Sequence, residues 1–398
     1  MISMLNASVL AQPYFHFTRN QQRASVAYKF YRNLIVVPVK LNGKGPYNFV
    51  LDTGVGVLTI TDPAIQDVLR LQTGKEITIS GLGEKEGVKA VTVSGVSLTM
   101  PGIESLPLTG VVFKEDPFFL STYLGVKITG IIGYEFFASF AVKINYGEKI
   151  LTVFENSHFK QGRKYQSIPI ELRSNKPFIK ATCSMSDSTA IPLDLLIDTG
   201  AGFPLSLQSN SDNRLTVPQR HLYTQLGLGL NGIIHGSLAR TNQLSIGNFS
   251  FTNVVTSFPD FDNWESKAES GKRNGSIGNF ILKRFSVVFD YEGRHLYLKP
   301  NTKFKEPFEY DRVGIEVVGG GDDYNRFIVF QVKPGSPAHE AGIQPDDELV
   351  EINFMPVKNM ELGNVDHLFS DPNAKSIMLK IIRGQEFRYI LLRMHDLF

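Results

Sequence analysis

The triplet Asp-Thr-Gly stands twice in this chain, at Asp52-Thr53-Gly54 and at Asp198-Thr199-Gly200, each time closing an apolar run. The first run is Phe49-Val50-Leu51 and the second is Leu195-Leu196-Ile197. An aspartate beside a buried strand needs a partner or hydrogen bonds, because stripping water from a lone charge is costly. One copy is explained by a strand ending in a turn, with the acid accepting backbone N–H bonds. Two copies presented alike point to a carboxylate pair that shares a site.

The surroundings repeat as well. Gly81-Leu82-Gly83 matches Gly227-Leu228-Gly229, and Gly130-Ile131-Ile132-Gly133 matches Gly275-Ser276-Ile277-Gly278. Ile144-Asn145-Tyr146-Gly147 matches Phe289-Asp290-Tyr291-Glu292. Landmarks in one order at a nearly constant shift are the mark of an internal repeat. Each half reads as hairpin, Asp-Thr-Gly, glycine-tipped hairpin, apolar-apolar-Gly strand, final strand. A duplicated β-domain that kept its fold and lost its chemistry is the alternative.

On these residues the chain resembles the aspartic peptidases, of both pepsin and retroviral type, over about residues 29–305. The strand pair before the first triplet, Val37-Pro38-Val39-Lys40-Leu41-Asn42-Gly43 and Tyr47-Asn48-Phe49-Val50-Leu51, is similar to the retroviral pattern. The resemblance implies a mostly β, bilobal, pseudo-twofold acid-protease barrel with both lobes in one chain. It implies hydrolysis of peptide bonds by a water held between Asp52 and Asp198. Two carboxylates forced together cannot both ionise easily, so one keeps a proton and the pair titrates as a unit. Gly54 and Gly200 would let backbone N–H groups approach the acids, and Thr53 and Thr199 would tie the two loops together. Val55 and Ala201 follow the triplets where pepsin-type enzymes commonly carry a hydroxyl. Lacking that donor, the pair is expected to work at weakly acidic to neutral pH.

Gly81, Leu82 and Gly83 tip a hairpin between Ile77-Thr78-Ile79 and Val91-Thr92-Val93, placed like the flap that closes over peptide substrates. Gly229 and Leu230 belong to the matching hairpin of the second half. Gly227–Gly232 also fits Gly-x-Gly-x-x-Gly, but no helical pattern follows, and Gln243 and Ser250 stand where the acid of a dinucleotide site is needed. No cofactor is expected. The histidines, His221 and His235 among them, show no metal-ligand spacing, so no metal is expected either. Cys183 reads as a small apolar filler in a strand. Paired carboxylates could also serve a glycosidase, but that leaves both Thr-Gly pairs without a reason.

From about residue 306 the texture changes. Val332-Lys333-Pro334-Gly335-Ser336-Pro337-Ala338, then Ala341-Gly342-Ile343 and Asp346-Asp347-Glu348-Leu349-Val350, resembles a PDZ domain, an α+β module. Ser336 can cap a short helix and Gly342 can end it. Asp346 stands where the family usually has glycine and tolerates a left-handed backbone. The resemblance implies a groove for an extended C-terminal peptide near Val313, Gly314, Ile315 and Glu316, with Gly319 to Asp323 as a loose turn. Substrate tails, a partner, or the chain's own protease half are the candidate occupants.

The expected organisation is an N-terminal segment (1–28), lobe one (29–160), lobe two (161–305) and the module (306–398). With 35 glycines and 20 prolines among β-branched and aromatic residues, the chain fits a mostly β protein. Appreciable helix is expected only in the module, at Ala338–Ala341 and around Leu362–Ser370. A formal charge of +2 gives no reason to expect nucleic acid as a partner, and the Lys and Arg sites read as solvated surface. No run reaches transmembrane length. Val9-Leu10-Ala11 before Gln12-Pro13 resembles a signal-peptidase site without its basic and apolar lead, which favours an extracytoplasmic or periplasmic setting. A peptidase is the leading reading. A degenerate protease that binds peptides through its module, or an inactive scaffold, are the competing ones.

Overall fold

In a computed structural model the described residues are 13–79, 87–185, 189–230, 232–260 and 273–398. The Val9-Leu10-Ala11 stretch and the Gly81-Leu82-Gly83 tip lie outside them. The fold is mostly β, as the alternation of the sequence predicts.

In lobe one the Lys44–Leu51 strand runs parallel to Gly130–Ile132, with Phe49 opposite Gly130 and Leu51 opposite Ile132. Gly130–Ile132 in turn lies antiparallel to Leu58–Ile60, which runs parallel to Leu108–Phe113. Lobe two repeats the pattern. Ile191–Ile197 runs parallel to Gly275–Ile277, which pairs antiparallel with Leu205–Leu207, itself parallel to Phe249–Pro259. The last three residues of each aspartate-bearing strand, 49–51 and 195–197, are buried in succession, so both faces are covered there and they read as continuous apolar runs. Each run ends on its aspartate.

A six-stranded sheet joins the lobes. Ala141–Asn145 of lobe one pairs with Phe285–Asp290 of lobe two, Val142 opposite Phe289 and Ile144 opposite Val287. Its edges are Arg23–Ala27, paired with Ile150–Phe154, and Gln166–Pro169, paired with His295–Pro300. Residues 23–27 are thus part of the protease body, and Phe15–Phe17 adds a further strand beside Ile103–Ser105. One continuous apolar core runs through both lobes and takes in Phe15 and Phe308.

The module has its own core, built on Val313, Val329, Leu349, Val365 and Leu379. Ser336 caps the Pro337–Glu340 helix by accepting the His339 N–H, and Gly342 follows at φ 75°. Asp346 sits at φ 70° in the left-handed region, and Asp347 beside it is buried under a fork from Arg383, both bonds 2.7 Å.

Three expectations need correction. Short helices also occur in the lobes, at Ala64–Leu69, Leu120–Leu124, Tyr134–Ser139 and Asn279–Leu282. Elements of one turn or so are too brief to show a 3.6-residue period. Gly319 and Gly320 are not a turn but the end of the Ile315–Gly320 strand. Nor are all basic residues solvated. Arg284 is 1% exposed because its guanidinium gathers the backbone carbonyls of Phe280, Lys303, Phe304, Glu306 and Pro307. No helix of the described residues is long and apolar enough to cross a membrane.

Candidate active site

Both aspartates leave their strands through the same local bonds. The Asp52 N–H donates to the Ile132 carbonyl and the Asp198 N–H to that of Ile277, each at 2.9 Å. The following turn then brings a glycine N–H back onto the acid. Gly54 N–H lies 2.6 Å from Asp52 Oδ1, and Gly200 N–H lies 2.9 Å from Asp198 Oδ1.

The two threonines lock the loops to each other. Thr53 N–H donates to Thr199 Oγ1 and Thr199 N–H to Thr53 Oγ1, both at 3.0 Å. Each hydroxyl donates a hydrogen bond across the lobe boundary, from Thr53 to the Ile197 carbonyl at 2.6 Å and from Thr199 to that of Leu51 at 2.9 Å. Both side chains are fully buried, so every polar atom needs such a partner.

The glycines are required by the acids above them. A Cβ on Gly200 would stand 2.2 Å from Asp52 Cγ. A Cβ on Gly54 would stand 3.0 Å from Asp52 Oδ1 and 3.3 Å from Asp198 Oδ1. The carboxyl of each lobe therefore rests on the loop of the other, and the two groups share one half-buried site.

Burial, and then the charge of Asp198, push Asp52 well above the ordinary carboxyl value. Asp198 is raised by burial too, but a hydrogen bond from Asp52, the Gly200 N–H and the Arg273 and Lys176 charges oppose the rise. The pair therefore titrates as a unit, with its shared proton held above the ordinary carboxyl range. At Val55 and Ala201 it is the carbonyl rather than the side chain that works. Val55 accepts the Tyr134 N–H at 2.9 Å and Ala201 the Asn279 N–H at 2.8 Å.

Asn279 is a site residue that the sequence reading missed. Its amide donates to the Thr199 carbonyl at 2.6 Å and its oxygen accepts the Tyr146 hydroxyl at 2.7 Å. The position after the apolar-apolar-Gly strand was the available signal. The lobe-one equivalent is Tyr134, whose ring lies 6.3 Å from that of Tyr291, so the repeat is broken here.

The first glycine-tipped hairpin is described in its stems, with Ile79 opposite Val88 and Ile77 opposite Ala90. The second is continuous to its last pair, Gly229 opposite Gly232, which makes Gly227–Gly232 a hairpin end with no helix after it. Leu230 at that end packs on Ala90, Val111 and Phe113 of lobe one, so the two hairpins meet across the cleft. Cys183 is buried in a strand, and its thiol is pushed up to about 11 by that burial. His221 and His235 sit on opposite strands of the second hairpin, away from any cluster of metal-ligating side chains among the described residues.

In the module, Val313 and Gly314 open the Ile315–Gly320 edge strand, and Glu316 lies on it with its carboxyl pKa raised by burial.

An aspartyl protease family model matches residues 37–136 and again 181–279, so each Asp-Thr-Gly falls inside one copy. A PDZ domain model matches residues 302–382. No curated protein gives a significant match to the chain. Among solved structures a photosystem II D1 C-terminal processing protease aligns at 22% identity over 22% of this chain, with a TM-score of 0.21. The aligned part is 23% of that protein's chain, and at that score the likeness carries no weight.

Proposed function

The chain belongs to the aspartyl protease family, and from that premise we propose that it is an aspartic endopeptidase acting through Asp52 and Asp198. The observation that carries this reading is the exchange of bonds between Thr53 and Thr199, which sets each carboxyl over the other lobe's glycine.

In the proposed reaction the ionised member of the pair, taken as Asp198, takes a proton from a water held between the acids. The water oxygen bonds to the scissile carbonyl carbon, and the carbonyl oxygen takes the proton of Asp52. The resulting diol then returns a proton to Asp52 as the C–N bond breaks, and the leaving nitrogen takes the proton stored on Asp198. No covalent enzyme intermediate forms. Thr53, Gly54, Thr199 and Gly200 hold the geometry, since a near-attack arrangement supplies much of the rate. The substrate would lie extended between the lobes, beneath the hairpin end at Gly229 and Leu230. The PDZ module would take peptide termini.

Cleavage of a peptide library by the wild type, by Asp52→Asn and by Asp198→Asn tests the reading, with pepstatin inhibition as support. Both variants should lose cleavage. Activity that survives either change removes the dyad.

A further inference from the structure

The Ile315–Gly320 strand lies at the edge of the module's sheet and pairs only with Arg326–Val332 among the described strands. Such an edge is where a PDZ domain adds a peptide strand, with the peptide's carboxylate held by loop N–H groups. Both places are filled from within this chain. The Val313 and Gly314 N–H groups each donate to Asp311 Oδ1 at 2.9 Å. Asp311 Oδ2 takes the Lys333 ammonium at 2.7 Å, and Lys333 also reaches the Tyr310 hydroxyl at 3.0 Å. An internal carboxylate with a buried counter-charge therefore occupies the loop.

Beside the strand, lobe one closes the groove. Its Leu120–Leu124 helix packs against Ile315–Gly320. The fit is tight enough that a Cβ on Gly125 would lie 2.9 Å from Leu362 Cδ1, on the helix that flanks the strand. A Cβ on Gly319 would lie 3.0 Å from Gly125 Cα. Arg32, from the turn before Leu34–Leu41, fastens this contact. It forks onto Asp366 of the flanking helix with two bonds of 2.7 Å and donates to the Tyr123 carbonyl at 2.9 Å. Only 5% of its side chain is exposed, and its guanidinium lies 4.7 Å from the Tyr123 ring.

We infer that the peptide groove of the PDZ module is capped in cis by Arg32 and the Leu120–Leu124 helix, with Asp311 standing in for a ligand's carboxylate. A peptide with a free C-terminal carboxylate binds by displacing this cap. It can compete because it would add strand hydrogen bonds that the packed helix does not supply to Ile315–Gly320.

The cap also reaches the cleft. Leu120 and Leu124 pack in one cluster with Val50, Val55 and Ile131, which bracket Asp52. Phe118, just before the helix, joins that cluster to the one that receives Leu230 of the second hairpin. A helix either docked on the module or released from it is an element that both sites bias, and such coupling is reciprocal. This deepens the peptidase reading, and its readout is chosen so that it does not depend on activity.

The test uses the full chain carrying Asp52→Asn and fluorescein-labelled hexapeptides ending in Val, Leu or Phe, as free acids and as amides. Arg32→Ala and, separately, Tyr123→Ala should tighten free-acid binding at least about tenfold, because apparent affinity scales with the open fraction. The amides should bind in neither case. Equal affinity in the parent and both variants, equal binding of amides, or no binding at all overturns the cap. Hydrogen exchange read with the saturating free-acid peptide should show faster exchange over residues 118–131. Unchanged exchange there, with binding intact, overturns the link to the cleft. Failure of the peptidase reading shows instead as an inactive wild type, whatever the binding result.

Discussion

Thr53 and Thr199 exchange backbone-to-hydroxyl hydrogen bonds of equal length, 3.0 Å in each direction, across the boundary between the lobes. Replacing either by alanine removes one acceptor and one donor from a buried site. For Thr199→Ala the orphaned groups are the Thr53 N–H and the Leu51 carbonyl. Each such group costs about 1–3 kcal/mol. Urea unfolding should register that loss in Thr53→Ala and Thr199→Ala, and serine at either position should recover most of it.

The two glycines should respond unequally to the same change. Gly200→Ala places a methyl 2.2 Å from Asp52 Cγ, whereas Gly54→Ala meets its nearest carboxyl oxygen at 3.0 Å. The first must displace the acid and the second only crowd it. A displacement of about 1 Å can cost on the order of a hundredfold in rate. Gly200→Ala should therefore lose about that factor or more in kcat/KM, with a smaller loss for Gly54→Ala.

The acids themselves should make the fold less stable at neutral pH. Both carboxyls are raised above the ordinary 3.8, chiefly by burial. The folded state then binds more protons than the unfolded state, so stability falls as pH rises from about that value through the folded pKa. Asp52→Asn should be more stable than the wild type at pH 7, and the difference should shrink as pH falls toward 4. Thermal melts across that range check the sign. The pH–rate maximum should likewise lie above the ordinary carboxyl range.

What could be read in the sequence was what repeats locally. Apolar runs ending in Asp-Thr-Gly and apolar-apolar-Gly strands are self-contained patterns, and their register, Leu51 opposite Ile132 and Ile197 opposite Ile277, follows the same rule in both lobes. Contacts made by one residue far along the chain left no such trace. Arg32 meets Asp366 over a separation of 334 residues, and nothing near Arg32 distinguishes it from a solvated arginine. Phe15–Phe17 and Arg23–Ala27 fall within an N-terminal segment to which the sequence pattern assigns no elements, because short edge strands carry little pattern. Asn279 differs from Tyr134 at equivalent places, and only the fold shows that the side chain of one hydrogen-bonds and that of the other packs against Tyr14 and Tyr291.

Arg284 should prove the fastening of the segment that leads into the module. Its guanidinium satisfies the carbonyls of Lys303, Phe304, Glu306 and Pro307 and lies 4.0 Å from the Phe308 ring. Arg284→Leu keeps the bulk but orphans those carbonyls, at roughly 1–3 kcal/mol for each that water does not reach. Limited proteolysis should then cut within 301–310 at a protease concentration that leaves the wild type intact.

The broken symmetry between Tyr146 and Tyr291 gives a paired prediction. Both phenols are buried at matching places of the two lobes. Tyr146 donates to Asn279 at 2.7 Å, while the Tyr291 hydroxyl has no hydrogen-bond partner among the described residues. Removing the first hydroxyl leaves Asn279 Oδ1 without its donor. Removing the second relieves a polar group buried without compensation, near two acids whose negative charge also opposes its ionisation. Tyr146→Phe should therefore cost about 1–3 kcal/mol and weaken the support that Asn279 gives to the Thr199 carbonyl. Tyr291→Phe should be neutral or stabilising by the same denaturation assay. Equal losses in the two variants would mean that Tyr291 has found a partner of its own.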